Sequence, residues 1–254
     1  MSAIAIKNVN NLNQKNWRYP VKPTDRIFVA LDTTDLDRAV SLANQLVSLV
    51  GGVKMGKEFL TAHGPEGVRR VAECGMPIFL DTKFHDIPNT VNSAIRAALP
   101  LNPFVINVHA SGGSQMMRAA QSAVEEAGDK RPLLIAVTVL TSMSDEDLAE
   151  IGMQGLTEDR VVALAKLTQK SGLDGVVCSP LEITAVRKAC GQDFKLMVPG
   201  IRPAWSVAGD QKRITTPSDA VKLGANYLVI GRPITDADDP VKAAQKIADE
   251  LASV

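Results

Sequence analysis

The chain has 254 residues, 45% of them apolar and only 4% aromatic, with 28 basic side chains against 28 acidic ones. That length suits one large α/β domain or two small ones, and so few rings mean a core of Ala, Val, Leu and Ile, as in layered α/β packing. Balanced charge with no long basic run offers no electrostatic footing for nucleic acid or an anionic membrane, and no apolar stretch approaches the ~20 residues needed to cross a bilayer.

In chain order, residues 1–25 mix Asn, Lys and Pro without the apolar core of a secretory signal, and they read as a polar extension. No linker or low-complexity tract divides residues 26–254, which read as one domain. Short apolar runs then recur at Ile27 to Leu31, Gly52 to Met55, Ile78 to Leu80, Phe104 to Val108, Leu133 to Val139, Gly175 to Cys178, Lys195 to Val198 and Tyr227 to Ile230. Between them, segments such as Asp37 to Val50, Gly113 to Ala127, Glu158 to Lys170 and Pro240 to Leu251 carry apolar residues at helical spacing. Alternating strand and helix implies parallel strands with right-handed crossovers. Eight units favour a closed (β/α)₈ barrel, with an open doubly wound sheet of six or seven strands as the alternative. No GxGxxG follows the first strand, which counts against a dinucleotide fold. Cys74, Cys178 and Cys190 form neither an even disulfide set nor a metal-spaced pair, so reduced thiols in the cytoplasm are expected.

The run Phe79-Leu-Asp81-Thr-Lys83-Phe-His85-Asp86-Ile87-Pro88-Asn89-Thr90 gathers two carboxylates and an ammonium just past an apolar strand, and marks the expected reaction centre. Residues two apart on a strand share a face, so Asp81 and Lys83 point the same way. Pro88 suits the first turn of a helix, which leaves Asp86 in the connection. Barrels of this kind work at the C-terminal ends of their strands. Those ends deliver Asp32, Lys54, Asp81 with Lys83, Asn107 with His109, Thr138 with Thr141 and Ser142, Pro199-Gly200-Ile201-Arg202, and Gly231-Arg232-Pro233. The last two sit in the usual phosphate corner, where glycine admits backbone N–H groups and arginine supplies a planar fork of donors. Arg202 to Thr216 is long for a connection, and Gly209-Asp210-Gln211 within it could hinge a lid.

Each residue also has a plainer reading. Arg202 and Arg232 could pair with helix acids at the surface, Lys54 could be a solvated lysine, and Asp32 and Asp86 could cap the helices that follow them. His109 reads as a hydrogen-bonded structural histidine, and the spacing of His63, His85 and His109 suggests no metal site.

Taken together, the motifs closely resemble the orotidine 5′-phosphate decarboxylase family. The matching pieces are Val29-Ala-Leu-Asp32, Val53-Lys54-Met-Gly56, Asp81 to Thr90, Val108 to Gly113, Thr138 to Ser142, Pro199 to Arg202, Gly209 to Gln211 and Gly231 to Thr235, in the family's order. The resemblance implies a (β/α)₈ homodimer, free of cofactor and metal, that converts orotidine 5′-phosphate to UMP and CO₂ in pyrimidine synthesis. It implies shared sites, with Lys54, Asp81 and Lys83 from one subunit and Asp86, Ile87 and Thr90 from its neighbour. Asp32, Lys54 and Thr90 would hold the ribose, Thr141 or Ser142 the base, and Arg202, Gln211, Gly231 and Arg232 the phosphate. Two alternatives keep the barrel: a Mg²⁺-dependent sugar-phosphate lyase working through an enediolate, and a phosphate-ligand sensor without turnover.

Overall fold

Every apolar run becomes a parallel strand: β1 (Ile27–Ala30), β2 (Gly52–Met55), β3 (Ile78–Phe84), β4 (Val105–His109), β5 (Leu133–Val137), β6 (Gly175–Val177), β7 (Lys195–Pro199) and β8 (Tyr227–Ile230). They pair in sequence order and β8 closes on β1, so the barrel is the architecture and the open sheet is excluded. The computed structural model describes residues 22–206 and 215–254. Gln211 and its Gly209-Asp210 neighbours, expected in a lid, lie outside the described residues, as do residues 1–21 of the extension.

The outer ring consists of α1 (Leu36–Leu46), α2 (Lys57–Ala72), α3 (Pro88–Ala98), α4 (Gly113–Glu125), α5 (Asp145–Glu150), α6 (Thr157–Lys170), α7 (Ile183–Cys190), α8 (Pro217–Leu223), α9 (Arg232–Thr235) and α10 (Pro240–Ala252). The expected amphipathic segments appear as α1, α4, α6 and α10, with α1 ending at Leu46 rather than reaching Val50. Pro88 opens α3 at its first position, where the missing N–H has no partner to lose. The short α5 rests on a capping box in which the Ser144 hydroxyl accepts from the Asp147 N–H. Among the described residues no helix is long and apolar enough to cross a membrane.

Strand parity divides the core into two layers. Ile27, Val29, Val53, Met55, Ile78, Leu80, Ile106 and Val108 point outward and pack with the helices. Phe28, Ala30, Phe79, Val105, Leu133, Ile135, Met197, Tyr227 and Val229 fill the interior. The interior floor is aromatic: Phe28 stacks on Phe104 at 5.8 Å and meets Tyr227 edge-on at 5.6 Å. Continuing the inward parity toward the C-terminal end brings up Asp32, Lys54, Asp81 and Asn107, so the alternation that fills the floor with rings lines the mouth with polar groups.

Strand β3 runs four residues past the expected Leu80 because it is bulged. Leu80 pairs with Ile106 and Phe84 with Val108, four steps on β3 against two on β4. Asp81, Thr82 and Lys83 occupy the excess, and Lys83 adopts a left-handed backbone with φ 50°.

Gly52 makes the aromatic floor fit, since a Cβ there would lie 2.5 Å from Phe28 Cε1 and 2.5 Å from the Pro77 carbonyl oxygen. Gly52→Ala is expected to destabilise the fold by ~2 kcal/mol through overpacking, read as a lower urea midpoint. An unchanged midpoint would mean that the ring and the Pro77 backbone yield freely.

Candidate active site

The barrel mouth holds a cavity of about 340 Å³. Its floor and sides are Ala30, Phe79, Val137, Val177 and Val229, one wall carries Asp32, Lys54, Asp81 and Lys83, and the corner after β7 and β8 carries Gly200, Arg202, Gly231 and Arg232. Charge is thus confined to two patches on an otherwise apolar surface, the pattern of a site that orients a small molecule.

The charged wall is a chain of ion pairs. Lys54 Nζ lies 3.0 Å from Asp32 Oδ1 and 3.4 Å from Asp81 Oδ2, and Lys83 Nζ lies 2.5 Å from Asp81 Oδ1. Two carboxylates and two ammonium groups therefore alternate across β1, β2 and β3. The helix-capping reading of Asp32 fails because Asp35 is the N-cap of α1, accepting from the Arg38 N–H at 2.9 Å. The solvated-lysine reading of Lys54 fails because its side chain is only 10% exposed. Gly56 keeps room for the pair, since a Cβ there would meet Lys54 Nζ at 2.8 Å and Asp32 Oδ1 at 3.0 Å.

Asp81 is the most enclosed acid of the group. Burial alone would raise its carboxyl pKa, but the charges of Lys54 and Lys83 and hydrogen bonds from Lys83 and Asn107 outweigh that effect and hold it below the usual carboxylate range. Asn107 donates Nδ2–H to Asp81 Oδ1 at 2.7 Å. Asn107 stands near the end of β4, and its parity with inward Val105 aims it toward the barrel interior.

In the corner after β7 and β8, Gly200 takes a left-handed backbone at φ 78°, turning the chain after β7. Arg202 is only 7% exposed, and its Nε is buried with no hydrogen-bond partner among the described residues. A buried donor in that state calls for an acceptor supplied from the cavity it lines. The reading of Arg202 as a surface arginine is thereby overturned. Gly231 and the exposed Arg232 at the start of α9 complete the corner.

Thr141 lines the cavity and Ser142 does not. Asp86, Ile87 and Thr90, which the resemblance assigns to a neighbouring subunit's site, stand exposed outside their own cavity. Asp86 Oδ1 accepts from the Ile87 N–H at 2.7 Å, and the side chain gives α3 no cap. Ile87 is 66% exposed, the highest value among the exposed large apolar residues of the described chain.

His109 ends β4 with its ring 5.5 Å from that of His85. Burial first, then the charges of His85, Lys83 and Lys57, lower its pKa from the ordinary 6.5 to about 4, against the raising effect of Asp81. It is a neutral imidazole at neutral pH. Burial, followed by the charge of Glu182, raises the Cys178 thiol well above its ordinary range and leaves it inert.

A closed (β/α)₈ barrel with charged groups at the C-terminal mouth defines a class, the barrel enzymes that work at the ends of their strands. Over residues 25–247 the chain matches the family described as orotidine 5′-phosphate decarboxylase / HUMPS. It is 51% identical over 229 residues to the orotidine 5′-phosphate decarboxylase of Paramagnetospirillum magneticum, covering 89% of this chain and 97% of that one. It is 52% identical over 230 residues to the enzyme of that name from Rhodospirillum rubrum, covering 89% and 93%. The crystal structure of orotidine 5′-phosphate decarboxylase from Lactobacillus acidophilus superposes with a TM-score of 0.76 at 38% identity, covering 89% of this chain and 98% of that chain. The chain belongs to the orotidine 5′-phosphate decarboxylase / HUMPS family.

His109 gives the site a pH signature. Between pH 6.5 and about 4 the unfolded chain binds a proton that the folded imidazole refuses, so stability falls as pH drops through that window. A His109→Gln protein is expected to lose less stability than the parent between pH 7 and pH 4.5, measured as urea midpoints. Parallel losses in the two proteins would place the ring in an ordinary environment.

Proposed function

We propose that this protein is an orotidine 5′-phosphate decarboxylase, that it acts by direct decarboxylation in which Lys83 stabilises and then protonates the C6 carbanion, and that its reaction supplies UMP in pyrimidine synthesis. The observation that carries this reading is the Asp32–Lys54–Asp81–Lys83 chain sharing one largely apolar cavity with a corner built on Arg202, Gly231 and Arg232. Such a cavity suits a ligand with a planar apolar face, a polyhydroxylated middle and a dianionic end. The resemblance of the motifs and the names of the relatives agree with it.

The reaction breaks the C6–CO₂ bond and leaves an electron pair in the plane of the pyrimidine ring, where the π-system cannot delocalise it. An enzyme has to lower that barrier by up to ~20 kcal/mol, near the top of the known range. A fixed ammonium beside C6 first opposes the developing negative charge and then transfers its proton to C6, closing the balance with CO₂ released and Lys83 regaining a proton from solvent. Asp81 holds that ammonium in place through an ion pair of 2.5 Å. Lys54 and Asp32 hold the ribose, and Thr141 faces the base. Arg202 and Arg232 bind the phosphate, whose binding energy is available for ordering the site because the phosphate takes no part in the chemistry.

The third carboxylate of the proposed array comes from a second subunit. Among the described residues Asp86 forms no ion pair in its own chain, and it lies with Ile87 and Thr90 on the exposed edge leading into α3. A homodimer that presents this edge to the neighbouring cavity completes a Lys54–Asp81–Lys83–Asp86 sequence and covers Ile87.

The test is the ultraviolet absorbance of orotidine 5′-phosphate mixed with the purified chain in EDTA, with the product identified by mass. Conversion to UMP is expected, and Lys83→Ala is expected to lower turnover by about 10⁴-fold or more. Turnover of a sugar phosphate only after Mg²⁺ addition would move the chain to the metal-dependent branch, and binding without turnover of either would make it a sensor. Mixing Lys83→Ala and Asp86→Asn proteins under conditions of verified subunit exchange is expected to restore activity, since one hybrid site keeps both native halves. Activity at background would refute the shared site.

A further inference from the structure

Lys83 is held in an unfavourable place. A lysine at φ 50° has no intrinsic reason to adopt a left-handed backbone. The bulge that creates this conformation also removes Asp81, Thr82 and Lys83 from the regular ladder between β3 and β4. Unpaired backbone groups at the centre of a barrel would be costly, so something must replace the ladder there.

Asn107 replaces it. Its side chain is wholly buried. Oδ1 accepts from the Lys83 N–H at 2.7 Å, Nδ2 donates to Asp81 Oδ1 at 2.7 Å, and its own backbone carbonyl accepts from the Thr82 hydroxyl at 2.9 Å. One residue thus ties all three members of the bulge. The amide orientation follows from the partners, because a flipped amide would set N–H against N–H at Lys83 and oxygen against oxygen at Asp81. Aspartate at this position would keep the acceptor but lose the donor, and leucine would fill the space and satisfy neither.

We propose that Asn107 is a positioning residue for the decarboxylation, setting the Lys83 backbone and the Asp81 carboxylate in one fixed relation so that the Lys83 ammonium is delivered to C6. Asn107 does not line the cavity and acts only through its two neighbours. The inference rests on the functional reading above. It differs from a packing role because the Asn107 side chain braces groups that react or contact the reacting ammonium, and displacements on the scale of 1 Å at such groups reduce rate by about 100-fold.

The experiment compares the parent with Asn107→Ala and Asn107→Asp, each checked for a cooperative urea transition. Both are expected to lose kcat by about 100-fold, with KM for orotidine 5′-phosphate and affinity for UMP within about threefold of the parent, because the phosphate corner is untouched. A pH profile supplies a readout that packing would not move. Asp81 faces Lys54 from β2 and Lys83 from β3, with Asp32, just past β1, beyond Lys54. Removing the Asn107 donor makes the Asp81 carboxylate easier to protonate, so the acid limb of kcat in Asn107→Ala moves to higher pH. A folded Asn107→Ala protein with kcat within threefold of the parent overturns the proposal, and so does a loss shared equally by kcat and UMP affinity. The isosteric aspartate variant carries the test if the alanine protein does not fold, and failure of both to fold makes Asn107 a folding residue and overturns it. An inactive parent would overturn the functional reading and the proposal together, whereas an active parent with unaffected variants sinks the proposal alone.

Discussion

The Asp81 carboxylate is the constraint around which the mouth of the barrel is arranged. It is 8% exposed, and a carboxylate so enclosed stays ionised only with compensation from charges and donors in its immediate shell. Lys54 supplies charge at one oxygen, and Lys83 and Asn107 supply charge and a donor at the other. The lysines are equally dependent on the acid, since without it two ammonium groups would face one another across the top of β2 and β3. Buried ion pairs rarely add net stability over apolar packing. The group is better understood as preorganisation, a charged arrangement assembled during folding that needs no rearrangement when a reaction develops charge beside it.

The barrel supplies the stiffness this requires. The rings of Phe28, Phe104 and Tyr227 fill the floor, and glycine at position 52 leaves the space that the Phe28 ring needs. Lys54 and Asp81 stand one inward position above that floor on neighbouring strands, so their separation follows from strand register rather than from loops. The phosphate corner is built differently. Gly200 and Gly231 carry the chain past the cavity at strand ends, and Arg202 is buried at the start of a connection whose next segment lies outside the described residues.

Much of this was legible in the amino-acid order. The eight apolar runs fall on the eight strands, and Lys54 and Asp81, expected at strand ends, line the cavity at the barrel mouth. Strand-end reasoning also collected Asp32, Thr141, Arg202, Gly231 and Arg232, which line one cavity. What resisted reading was non-local. A bulge depends on how two strands pair, so Ile78-Phe79-Leu80 announced a strand ending at Leu80 while β3 continues to Phe84. The hydrogen bonds of Asn107 to residues 24 and 26 positions earlier leave no trace in local composition. His109 was expected to be a hydrogen-bonded structural histidine; what characterises it is a neutral ring set beside His85, a property of burial and neighbouring charge that spacing does not encode.

Two non-glycine residues among the described ones have a positive φ, and the contrast between them is informative. Asn102 closes the 3₁₀ turn Leu99–Leu101 with φ 50°, a use that asparagine tolerates well and that ordinary turn chemistry explains. Lys83 has the same φ on a strand, where neither its side chain nor a turn favours it. Strain of this kind persists only where surrounding structure over-determines it, and around Lys83 that structure is identifiable: a buried amide from β4, a bulged register and a carboxylate two residues back. The strained residue also carries the ammonium that faces the cavity. In the bulge Asp81, Thr82 and Lys83 stand where the partner strand has Asn107 alone, and with this backbone the Lys83 Nζ meets the Asp81 oxygen at 2.5 Å. The departure from regular β geometry and the buried amide that braces it thus fall on the same two residues that form the acid–ammonium pair.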